Sequence, residues 1–211
     1  MLRGPTHKVF IERMVLLSFK NVLPESKMNR DTYLDTIDIA LIGFFCALWV
    51  TLNLALGPLS FKLLGLPILC DFAAFFSLLL VTWVTGRFGA ASTVGIVGSI
   101  IVLLTGASPH VIGFAASAVV FDMLMCANHH KLHSKAHNMV IAAVVTTVSA
   151  YFAGAVIGIF FMGKPLDEAT LRYALTFWGG WHLIGGIMSL AISLPIIGIL
   201  EKASVRKIRS A

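Results

Sequence analysis

Two groups of residues have types and spacings that could do chemistry. In the last apolar segment Trp178, His182, Gly185 and Ser189 recur at intervals of three and four, with Trp181 adjacent. That spacing puts the four on one helical face. An imidazole between indoles, beside glycines that leave room, suits a planar heteroaromatic ligand: rings stack and ring nitrogens hydrogen-bond. The same residues also fit an interfacial aromatic belt with a satisfied histidine. Asn53, Asp71 and His110 are expected to reach the same region from other segments. Asp71 follows Pro67, where a helix N-terminus would stabilise its carboxylate, either as an interfacial cap or as a ligand contact.

The second group is His129, His130, His133 and His137. Residues 129, 133 and 137 share a face if the preceding helix continues, and histidine is the commonest metal ligand. Asp122 and Cys126 are close by in sequence. A carboxylate buried in a membrane is costly and marks a function by default. Asp122 could hold a proton, pair with a base or meet a partner. Together the group could serve a metal or a membrane enzyme; a solvated polar connector is the plainer reading. No His-Glu-x-x-His, Gly-x-Ser-x-Gly or Cys-x-x-Cys motif occurs. Gly158 to Lys164 imitates the start of a phosphate loop, but Pro165 follows and no strand precedes it. ATP hydrolysis is therefore not expected of this chain.

The elements that must position these residues are membrane helices. Of 211 residues, 58% are hydrophobic and 12% charged, against about 25% charged in soluble domains. Six apolar spans are expected: residues 37–56, 67–85, 90–104, 110–127, 139–162 and 174–200. The first span breaks at Gly57-Pro58, and a loop over 59–66 carries Lys62. A hydrophilic connector covers 128–138 and a polar loop 163–172. Residues 1–36 form a basic segment, either a tail, a start that belongs at Met28, or an interfacial helix over 9–19. No signal peptide is evident. Residues 201–211 form a basic tail.

With both termini cytoplasmic, all 16 Lys and Arg except Lys62, Lys164 and Arg172 fall inside. That asymmetry predicts the orientation, and it accounts for the net charge of +6 better than a nucleic-acid partner does. The three cysteines, Cys46, Cys70 and Cys126, lie in apolar segments and suggest no disulfide framework. Glycine and alanine recur at Gly95/Gly98, Ala150/Gly154/Gly158, Gly179/Gly180 and Gly185/Gly186. Such spacing is mostly helix contact. In the first span Gly43, Ala47, Thr51 and Ala55 recur every four residues and form a stripe on which another helix could dock.

Over residues 37–200 the chain resembles the substrate-binding S components of energy-coupling factor (ECF) transporters. The resemblance rests on six spans of this size and the stripe Gly43/Ala47/Thr51/Ala55. It rests also on the loop from Gly57-Pro58-Leu59 to Gly65-Leu66-Pro67 followed by Asp71, the turn Gly86-Arg87-Phe88-Gly89, and Gly95/Gly98 with Gly106-Ala107-Ser108. It implies an all-α bundle in a prokaryotic plasma membrane that captures a vitamin or vitamin precursor at its outer face, without a cofactor and without enzymatic activity. The implied partners are membrane lipid, a transmembrane coupling subunit that docks on the helix-1 stripe, and two cytosolic ATPases. The family stripe is usually alanine-rich, and Gly43 and Thr51 depart from it. Metal-binding members carry a histidine site at the very start of the chain; His7 has no such context, so an organic ligand is implied. A membrane enzyme or metal-linked protein using Asp122 and the 129–137 histidines is the alternative.

Overall fold

A computed structural model describes residues 34–133, 135–162 and 167–202. The readings for residues 1–33, Lys164 and the tail from 203 lie outside the described residues. Six helices occur, and no strand is present among the described residues. They are α1 (Thr36–Leu64), α2 (Ile68–Thr85), α3 (Ala90–Leu104), α4 (Ile112–Met125), α5 (Ala136–Phe160) and α6 (Glu168–Lys202). Single 3-10 turns flank α4 at Pro109–Val111 and Cys126–Asn128. Five of these segments are long and apolar enough to cross a membrane, and α3 is shorter. The chain is a multi-pass membrane protein.

Neighbouring helices follow a closed order: α1 on α2, α2 on α6, α6 on α5, α5 on α4, α4 on α3, and α3 back on α1. Helix α2 is the most enclosed, with 72% of its apolar window buried; α1 is the least, with 28%. One end of the bundle, here the basal end, gathers both described chain ends. There Arg87, between α2 and α3, lies 3.8 Å from Asp38 of α1. Trp83 Nε1 of α2 donates to Glu201 Oε1 of α6 at 3.2 Å, and His133 Nδ1 of the α4–α5 connector lies 3.0 Å from the same oxygen. The opposite, apical end holds the α1–α2 turn, the α3–α4 turn and the start of α6.

Two expected boundaries move. Helix α1 does not break at Gly57-Pro58; it runs on to Leu64. Proline removes one N–H and kinks a helix, and transmembrane helices absorb that where neighbours compensate. The stop comes at Gly65, whose φ of +66° is open to glycine at little cost and whose N–H returns to Phe61 O at 3.0 Å. Ser60 closes the turn: its hydroxyl donates to Leu66 O at 2.5 Å and accepts from Leu69 N–H at 3.2 Å. Helix α6 begins at Glu168, before the expected 174, because the Asp167 side chain accepts from Thr170 N–H at 2.7 Å and caps it. Within it Ala174–Trp178 is a π-helical stretch, in which Gly179 N–H reaches back to Ala174 O.

Most of the small residues are helix contacts; Gly180 is not, with nothing among the described residues within 4 Å of a Cβ built there. A Cβ at Gly95 would strike Ala118, one at Gly98 the Trp49 ring, and one at Gly186 would come 2.6 Å from Ala150 Cβ. The helix-1 stripe differs. Gly43, Ala47, Thr51 and Ala55 are all exposed, and among the described residues nothing lies within 4 Å of a Cβ built at Gly43.

Candidate functional site

Asp71 stands in the first turn of α2, and His182 four residues beyond the π-helical stretch of α6. His182 Nδ1 lies 2.9 Å from Asp71 Oδ1 and 2.8 Å from Oδ2. Both side chains are sealed, at 0% and 1% exposure. Glycines make this meeting possible. A Cβ at Gly185 would come 2.5 Å from Asp71 Cβ and 2.5 Å from Ile68 O; one at Gly154 of α5 would come 2.8 Å from His182 Cβ. The α2–α6 and α5–α6 backbones therefore approach closely at the pair.

Aromatic rings continue from the pair. The His182 ring centroid lies 5.7 Å from Phe114 of α4 and 6.3 Å from Trp178, and Phe114 lies 6.4 Å from Trp49 of α1. Three ring nitrogens in this string are buried without a hydrogen-bond partner: His182 Nε2, Trp178 Nε1 and Trp49 Nε1. An unpaired buried donor costs about 1–3 kcal/mol.

The structure brings Asp71, Trp178 and His182 together and separates them from Trp181. One residue from His182 on the helix, Trp181 turns about 100° away and lines a surface groove with Tyr173 and Phe177, which stack at 4.9 Å. His110 is half-buried at the apical end, 6.4 Å from Phe61. Asn53 is half-buried on α1; its Oδ1 would lie 3.9 Å from a Cβ at Gly57, which in turn would lie 3.4 Å from Cys70 Sγ. Trp49 and Phe114 are the residues that sequence reasoning missed. The available signal was Gly98, a small residue in the third span that receives the Trp49 ring.

The basal group is built for another purpose. Asp122 Oδ2 accepts from Gly89 N–H at 2.8 Å and Ser92 N–H at 2.9 Å, so the carboxylate of α4 caps α3. Its Oδ1 lies 2.9 Å from His130 Nε2. The expected single face of His129, His133 and His137 does not form, because the helix ends at Asn128 and His129 and His130 take φ of 49° and 53°. His129 and His137 are exposed, and His133 meets Glu201. Among the described residues no three His, Cys, Asp or Glu side chains converge as metal ligands.

Fold and site together define a multi-pass helical membrane protein with a sealed acid–imidazole pair near one end. No protein-family model, curated protein or solved structure matches the chain.

Proposed function

We propose that the protein is the substrate-capturing S component of an ECF-type uptake transporter, taking up a planar vitamin-type ligand. The ligand enters at the apical end, toward Asp71, Trp178 and His182. The basal end faces the cytoplasm: of the described Lys and Arg, Arg87, Lys131, Lys135 and Lys202 belong to it, and Lys62 and Arg172 to the other. A coupling subunit docks on α1, and two ATPases supply the energy that this chain has no motif to supply.

The observation that carries this reading is the exposure of Gly43, Ala47, Thr51 and Ala55 on the least buried helix of the bundle. In lipid, a smooth small-residue face admits a second helix at short range. Among the described residues, nothing occupies it at Gly43. Asp122, the centre of the enzyme alternative, serves as a cap and an imidazole partner.

The test is capture by a reconstituted coupling module of transmembrane subunit and two ATPases. Wild type is expected to co-purify with it. Ala47→Leu and Thr51→Leu are expected to lose capture while keeping the wild-type unfolding midpoint, because both positions are exposed. Equal capture of wild type and both variants, or capture of none, would discard the reading.

A further inference from the structure

We propose that the groove on the outside of α6 is a binding site for one zwitterionic phospholipid whose headgroup carries a free ammonium, an ethanolamine-type lipid of the apical leaflet. The site is separate from Asp71 and His182, and it does not depend on the transport reading.

Two open grooves run end to end along one face of α6. The upper, of about 540 Å³, is lined by Glu168, Ala169, Arg172, Tyr173 and Thr176. The lower, of about 580 Å³, shares Tyr173 and Thr176 and continues past Phe177, Gly180, Trp181 and Ile184. Its floor is notched at Gly180, where nothing among the described residues lies within 4 Å of an added Cβ. Its wall is aromatic: Tyr173 and Phe177 stack at 4.9 Å, and Phe177 meets Trp181 edge-on at 6.4 Å. Thr176 turns its hydroxyl back to Arg172 O at 2.8 Å. A row of rings beside a notch fits an acyl chain, and Tyr and Trp favour the headgroup level of a bilayer. From Arg172 to Ile184 the helix descends about 18 Å, close to the roughly 15 Å depth of one leaflet's hydrocarbon.

Charge at the top of the groove selects the occupant. Arg172 Nη2 donates to Glu168 Oε1 at 2.9 Å, and the two side chains are 74% and 87% exposed. Asp167 precedes them, so the described mouth holds two carboxylates and one guanidinium. An anionic headgroup adds a further negative charge there. A headgroup with both phosphate and ammonium extends the existing pair instead: its phosphate oxygens accept from the remaining guanidinium N–H groups, and its ammonium donates to Glu168. A trimethylated ammonium has no N–H to donate, which separates ethanolamine-type from choline-type lipids. A lipid-facing surface with no built site would take the two equally.

The experiment uses the full-length protein in vesicles of phosphatidylcholine brominated along its acyl chains, whose bromines quench an indole they touch. Trp49 and Trp83 are buried and Trp181 lines the groove, so the quenching lost in Trp181→Phe reports on the groove. Unbrominated phosphatidylethanolamine, phosphatidylcholine or phosphatidylglycerol is then mixed in at matched fractions. Phosphatidylethanolamine is expected to restore this fluorescence with an affinity about fivefold above that of phosphatidylcholine, the scale of one exposed ion pair, and phosphatidylglycerol no better than phosphatidylcholine. Gly180→Leu fills the notch and is expected to abolish the preference at an unchanged unfolding midpoint. Glu168→Gln alters one exposed side chain, is expected to abolish it too, and keeps the test decisive should Gly180→Leu disturb the helix. Equal affinities of the ethanolamine and choline lipids overturn the inference, as does a preference for phosphatidylglycerol. Quenching that is the same in wild type and Trp181→Phe, or a preference that survives in Glu168→Gln, overturns it as well.

Discussion

Removing His182 should harm the fold far more than removing Asp71, although the two make the same contact. In His182→Leu the Asp71 carboxylate is left sealed at 0% exposure with its imidazole partner gone. Breaking a buried pair in that way costs about 3–5 kcal/mol. In Asp71→Leu the remaining imidazole is neutral in one of its ordinary forms, so the loss is that of a hydrogen bond to a buried group, about 1–3 kcal/mol. The double variant leaves neither an orphan charge nor an orphan donor at Nδ1. Its cost should therefore fall below that of His182→Leu alone. Equilibrium unfolding in mixed micelles, followed by circular dichroism, gives all three values and the coupling free energy. Equal costs for the two single variants, with the double variant equal to their sum, would refute a neutral pair sealed from water.

Three further outcomes follow from the packing. Gly185→Ala should cost about 1–3 kcal/mol by overpacking, since its Cβ would approach Asp71 Cβ and Ile68 O at 2.5 Å, whereas Gly43→Ala should be neutral or stabilising by about 0.5–1 kcal/mol; thermal unfolding compares them. Asp122→Ala should destabilise by about 1–3 kcal/mol by orphaning the Gly89 and Ser92 N–H groups, and hydrogen exchange should quicken in the first turn of α3 before it quickens elsewhere. A membrane-impermeant maleimide should label exposed Cys126 from the cytoplasmic face only, and buried Cys46 and Cys70 from neither; labelling of Cys126 on intact cells would invert the proposed orientation.

The sequence by itself determined that the chain is a multi-pass helical membrane protein, with five helices long and apolar enough to cross and a sixth, shorter apolar one. Runs of apolar residues that long have no other way to satisfy their backbone in lipid. It also marked small residues as candidate contacts, and Gly95, Gly98, Gly154, Gly158 and Gly186 are such contacts while Gly180 is not. The types of Asp71, Trp178 and His182 already marked them as unusual in such a setting. Only the tertiary structure decided that Asp71 and His182, 111 positions apart, are bonded partners. Residue type reports what a side chain can do, and its partner depends on how helix faces are turned. That rotation is set by close backbone contacts at Gly154 and Gly185 and by a π-helical stretch that shifts the register of α6, none of which is encoded in local hydropathy. For the same reason Trp181 looked equivalent to Trp178 on paper and faces a surface groove in space. The roles that sequence leaves open for Asp122 do not include a cap; it pairs with His130, as one of them allows, and also caps α3, whose N–H groups lie about 30 residues upstream.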